Sequence, residues 1–145
     1  MCGFVGYLDY RASAEAIEMT QTVNAMVATL VHRGPDDSGI WVDAAAGLAL
    51  GFRRLSILDL TPAGHQPMVS MNGRYVIAMN GEVYNYRELR NELIRAGVAF
   101  RGTSDTEVVL AAVVQWGLQT TVKRLNGMFA FALWDIRERC LTLVR

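Results

Sequence analysis

Gly127-Met128-Phe129-Ala130-Phe131-Ala132-Leu133-Trp134 is an unbroken apolar run of strand length. A half-buried strand alternates apolar and polar residues, whereas one apolar throughout is covered on both faces. The run therefore predicts a strand buried on both faces or nearly so. Residues 139–145 predict its hairpin partner, turning at Asp135-Ile136-Arg137-Glu138.

Working back toward the N-terminus, a short helix is expected over 118–124. Ser104 with Glu107 three positions on is a capping-box signature, opening a helix over 105–116 with Val108, Val109, Ala112 and Val113 inward. Asn85 with Glu88 repeats the signature and predicts a helix over 86–97 that Gly97 closes. Asn72-Gly73 marks a tight turn into a strand over 74–80, which ends at Asn80-Gly81-Glu82-Val83-Tyr84-Asn85. Before it runs a long connection from Arg53-Arg54-Leu55-Ser56-Ile57 to Gln66-Pro67-Met68, a length usually reserved for function. Strands over 40–43 and 47–52 form a hairpin near Asp43-Ala44-Ala45, preceded by the polar loop His32–Gly39. Ser13 is expected to cap a helix over 14–31 whose inner face is Ile17, Val23, Met26, Val27 and Leu30. Residues 2–8 predict a buried strand. Hairpin-like connections without strict strand–helix alternation favour an antiparallel α+β layered domain over a parallel sheet.

At 145 residues the chain has the size of one domain and needs no disulfide or metal to hold a core. Fourteen basic and fourteen acidic residues cancel, and no basic stripe points to nucleic acid or an anionic membrane surface. Cys2 and Cys140 make no disulfide framework, and His32 and His65 stand in no metal-ligand spacing with them. A reducing, cytoplasmic compartment is expected. Asp9, Arg11, Glu15 and Glu18 interrupt the start, so no signal peptide is expected, and no apolar run has the length of a membrane span.

The chemistry is sought at Met1-Cys2-Gly3. A small second residue permits removal of Met1, and Cys2 then carries a thiol and a free α-amine together. The amine titrates near ~8 and a thiol near about 8.5, so one can relay the other's proton without a histidine. A cysteine near a terminus is more commonly a small buried hydrophobe, so other stretches must agree. For cleavage of a side-chain amide they can. Asn80-Gly81 offers a side-chain NH2 and a backbone N–H for an oxyanion, although the dipeptide also suits a strand-ending turn. Arg54 can grip an α-carboxylate bidentately, with Arg53 beside it as the alternative. Glu82 and Asp105 can meet an α-ammonium, although Asp105 also suits the first turn of a helix. His32 and His65 suit loop hydrogen bonds, and Cys140 is expected to be inert.

Cys2-Gly3, His32-Arg33-Gly34-Pro35-Asp36, Arg54-Leu55-Ser56-Ile57, Gln66-Pro67-Met68, Asn80-Gly81-Glu82-Val83-Tyr84-Asn85, Ser104-Asp105-Thr106-Glu107 and Gly127–Asp135 occur together, in that order. In this the chain resembles the class II, N-terminal-nucleophile glutamine amidotransferase domain, in the form found in glutamine-hydrolysing asparagine synthetases. The aminosugar-forming amidotransferases differ at these motifs and rank below. The resemblance implies a four-layer α/β/β/α sandwich, with two antiparallel sheets between helices. It also implies glutamine hydrolysis through a Cys2 thioester, with Asn80 and Gly81 at the oxyanion. Arg54 would take the α-carboxylate, main-chain groups around Leu55 and Ile57 would line the pocket, and Glu82 and Asp105 would take the α-ammonium. By the same resemblance no cofactor is expected for this half-reaction. ATP and Mg would belong to a synthetase domain, outside this stretch, that accepts the ammonia.

The chain stops in mid-strand at Leu141–Arg145, so a domain incomplete at its C-terminus is expected, with open sheet edges. The competing readings are a non-catalytic fragment used for docking or regulation, and an N-terminal-nucleophile amidase for another amide.

Overall fold

The computed structural model describes residues 2–56 and 61–145. Among these, β1 (Gly3–Leu8), β2 (Asp37–Asp43) and β3 (Leu48–Arg54) form one antiparallel sheet in the order β1-β3-β2. A second antiparallel sheet runs β4-β5-β6-β7, from β4 (Met68–Val69), β5 (Tyr75–Val83), β6 (Gly127–Asp135) and β7 (Cys140–Val144). Helix α1 (Ala16–Ala28) covers the first sheet, and α2 (Tyr86–Arg95), α3 (Asp105–Trp116) and α4 (Leu118–Arg124) belong to the far side of the second.

Three apolar layers hold this together, and strand parity assigns residues to them. On β3, Leu48 and Leu50 pack between the sheets against Val76, Ala132 and Trp134, whereas Ala49 packs under α1 with Met19, Val23 and Val27. Gly51 lies on the same side as Ala49, and a Cβ there would stand 2.2 Å from Val27 Cγ2. Small residues on one face of β3 thus let α1 close onto the sheet. On β6, Phe131 and Leu133 face the helices with Ile77, Met79 and Val83 of β5, and Ala132 and Trp134 face the other sheet. That is the double burial expected of the run, although it fades at the exposed Met128. The four-layer sandwich of the resemblance is the observed arrangement.

Several local expectations are corrected. Helix α1 starts at Ala16, and its N-cap position is Glu15 with no side-chain capping bond. Ser13 instead donates its hydroxyl to Asp9 Oδ2 at 3.2 Å. Ile17 is 71 % exposed and Met19 takes its place in the core, because Met19, Val23 and Val27 at four-residue steps form the stripe that meets β3. Asn85 does not cap α2. Its side chain ties two loops, donating to Arg124 O at 2.9 Å and accepting from Asn126 N at 3.0 Å. The Ser104 hydroxyl does cap α3, accepting from Glu107 N at 3.2 Å. The Glu107 carboxylate accepts from Arg101 N and Gly102 N, which completes a tight turn before the helix. The long connection holds a 3-10 turn at Pro62–Gly64 and the short strand β4, neither of them expected.

Candidate active site

Cys2 precedes β1, whose first residue Gly3 pairs with Arg53 on β3. That register lays the Cys2 sulfur against the chain leaving β3. Leu55 N–H donates to Cys2 Sγ at 3.3 Å, and Sγ lies 3.5 Å from Leu55 O. The Cys2 carbonyl accepts from Arg33 Nε at 3.0 Å, and Gly3 leaves room for that arginine, since a Cβ there would stand 3.1 Å from its Cδ. The half-buried thiol is therefore held at both ends.

Two cavities meet at this residue. One is lined by Cys2, Arg54, Leu55, Gly81, Asp105 and the loop residues Gly64 and Gln66. The other is lined by Cys2, Asn80, Gly81, Glu82, Tyr84 and Met128. Cys2 and Gly81 are common to both. Of the expected site residues, Ile57 lies outside the described residues; the other seven line one or both cavities.

Parity decides which arginine reaches the first cavity. Arg54 shares its face of β3 with Leu48, Leu50 and Phe52, and that face looks between the sheets. Arg53 points the other way and donates through Nε to Gly34 O at 2.8 Å. Arg54 is 8 % exposed, with Nη1 donating to Thr61 O at 3.0 Å. A Cβ on Gly64 would stand 2.1 Å from Arg54 Nη2, so the loop lies close against the guanidinium at this residue.

Asn80 and Gly81 lie within a strand and do not end one: β5 continues to Val83, with Asn80 opposite Ala130 and Gly81 opposite Phe129. The glycine is required by geometry. Its φ is +138°, and a Cβ would stand 2.2 Å from Met128 O on the neighbouring strand.

Glu82 and Asp105 line different cavities. Asn80 and Glu82 share the even-numbered face of β5, which meets the second cavity, whereas Asp105 opens α3 on the opposite face. Asp105 is buried, accepting from Val83 N at 2.9 Å through Oδ2 and from Thr106 N at 2.9 Å through Oδ1. Burial raises its pKa above the ordinary aspartate value, against the pull of those two N–H donors, and the Glu82 charge pushes the same way as burial. A cation arriving at this carboxylate would offset that cost.

Arg33 and Gln66 also shape the site, and His65 makes the loop hydrogen bond expected of it. Arg33 holds the Cys2 carbonyl, and Gln66 lines the first cavity. His65 Nδ1 lies 2.8 Å from Asp37 Oδ2, tying the 61–67 loop to β2. Cys140 is exposed on β7 and lines neither cavity.

The family described as "Glutamine amidotransferase domain" matches residues 1–145. The chain belongs to this family. Glutamine-hydrolyzing asparagine synthetase 3 of Bacillus subtilis (strain 168) is 40% identical over 100% of this chain and 23% of its own length. Amidase chry2 of Gibberella zeae is 32% identical over 100% of this chain and 22% of its own. The chain thus spans under a quarter of the length of these curated relatives. Among solved structures, the glutamine phosphoribosylpyrophosphate amidotransferase of B. subtilis complexed with ADP and GMP superposes with a TM-score of 0.69 at 20% identity. That match covers 92% of this chain and 34% of the other. At that identity the likeness is one of fold. Among the described residues no helix is long and apolar enough to cross a membrane.

Proposed function

We propose that this amidotransferase domain hydrolyses the side-chain amide of glutamine and passes the nitrogen on. The observation that carries the reading is the position of Cys2 at the junction of two cavities, one holding a buried arginine and a buried aspartate, the other an asparagine. A free α-amino acid needs both charges at one end and a reactive group at the other. With its α-carboxylate on Arg54 and its α-ammonium on Asp105, a glutamine would direct its carboxamide toward the sulfur. Leu55 and the main chain beyond it toward Ile57 would form the wall. Glu82, one cavity away, would act on the ammonium through its charge alone.

The reaction then proceeds from groups in the chain. With Met1 removed, the α-amine of Cys2 takes the thiol proton as Sγ forms a bond to the carboxamide carbon. The carbonyl electrons move onto oxygen, where the Asn80 side-chain NH2 and the Gly81 N–H donate, each worth ~3–4 kcal/mol in the transition state. The intermediate collapses by breaking the C–N bond, and the amine returns its proton to the departing ammonia. Water adds to the thioester and releases glutamate with the thiol restored. In this proposal the ammonia goes to an ATP- and Mg-dependent synthetase domain outside the residues described here, and no step above runs through those groups.

A glutamine-like electrophile, with a chloromethyl ketone in place of the carboxamide, tests the reading in the full-length protein. Peptide mapping is expected to place the label on Cys2 with Cys140 unmodified. Label on Cys140 in place of Cys2 would overturn it.

A further inference from the structure

Gln66 has no part in the reaction above, yet it touches three elements around the Arg54–Asp105 cavity. Its side chain is buried, with Oε1 accepting from Met79 N at 2.6 Å and Nε2 donating to Thr106 Oγ1 at 3.2 Å. The amide has no choice of orientation, because the Met79 N–H can only donate.

The register explains why a glutamine stands here. β4 pairs Met68 with Ile77, and continuing that ladder would set residue 66 opposite Met79. β4 stops at Met68, one residue after Pro67, so the ladder does not continue to residue 66. The Gln66 side-chain oxygen occupies the place that a strand carbonyl would have taken on Met79. The amide nitrogen is then left pointing at α3. The main chain of the same residue is seated on the other sheet, where a Cβ on Gly39 would stand 2.1 Å from Gln66 O.

These contacts bracket the cavity. Gly64, two residues earlier, lies against the Arg54 guanidinium. Thr106, at the other end of the bridge, follows Asp105 in the first turn of α3, and its N–H holds Asp105 Oδ1. We infer that Gln66, acting through Thr106, is a positioning residue that fixes the separation of Arg54 and Asp105 and thereby tunes the domain to an unsubstituted α-amino-acid end. The inference rests on the glutaminase reading.

The test compares two reagents on the full-length protein: the chloromethyl ketone analogue of glutamine, which carries an α-amino-acid end, and iodoacetamide, which does not. The ratio of their rates at Cys2 measures recognition separately from thiol reactivity. Gln66→Met keeps the volume and loses both bonds; Thr106→Val removes the acceptor on α3. Each is expected to lower the ratio about tenfold, the usual consequence of orphaning a buried polar group, with the iodoacetamide rate unchanged. A wild-type ratio in folded Thr106→Val overturns the inference, as does an equal fall in both rates, which would mark a purely structural role. Should Gln66→Met fail to fold, Thr106→Val decides. Wild-type protein that shows no preference for the amino-acid reagent overturns the glutaminase reading, and the inference with it.

Discussion

Cys2→Ala is expected to lower kcat for glutamine hydrolysis by about 10⁴-fold or more, the scale seen when a covalent nucleophile is removed. The substitution takes away the atom that bonds to the carboxamide carbon and leaves the rest of the pocket in place. Arg54, Asp105, Asn80 and Gly81 all remain, so glutamine should still bind. The fold should tolerate the change, because Cys2 lies outside β1 and, among the described residues, its sulfur hydrogen-bonds with the Leu55 main chain alone. Glutamate release by wild type and Cys2→Ala, measured on full-length protein, decides the matter. Equal rates would mean that the chain keeps the family's fold without its chemistry and serves in docking or regulation.

Arg54→Lys should cut kcat/KM for glutamine about a hundredfold, chiefly through KM. A lysine keeps the charge but offers one ammonium where the guanidinium offers a fork, and bonds to charged groups of this kind are worth about 1.5–3 kcal/mol each. Burial sharpens the effect, since little water is at hand to replace a missing donor. The substitution also removes one of the two donors to the Thr61 carbonyl, which Arg54 Nη1 shares with the Gly64 N–H. Arg53→Lys is the matched control. Arg53 lies on the opposite face of β3, bound to Gly34 O, and its replacement should leave KM for glutamine unmoved. A steady-state comparison reads both. Equal effects at the two positions would place the carboxylate elsewhere.

What was legible in the sequence was whatever one segment decides by itself. The apolar run 127–134, the Ser104 cap and the Gly97 stop each depend on local chemistry, and the elements they predict are there. What was misread depends on a neighbour in space. Ile17 and Met19 are equally apolar, and only the angle at which α1 meets Ala49 and Gly51 chooses Met19. Asn80-Gly81 carries the composition of a turn, yet the glycine is demanded by the approach of Met128 O on a strand almost fifty positions away.

The site follows the same division. Cys2, Arg54, Asn80, Gly81 and Asp105 could be nominated from residue type and order, but their grouping required strand parity. Alternation along β5 is what parts Glu82 from Asp105, two carboxylates that the sequence offered as a pair. Gln66 gave no signal of its bridge, because the ladder it completes is visible only once β4 is known to pair Met68 with Ile77.

The central claim is that one residue supplies both the nucleophile and its proton carrier, and the most direct measurement joins the N-terminal mass of the cell-made protein to its turnover of glutamine. The expected result is a chain beginning at Cys2 that releases glutamate, alongside a form blocked at that amine that does not. Full activity in molecules still carrying Met1 would contradict the account and assign the proton to another group.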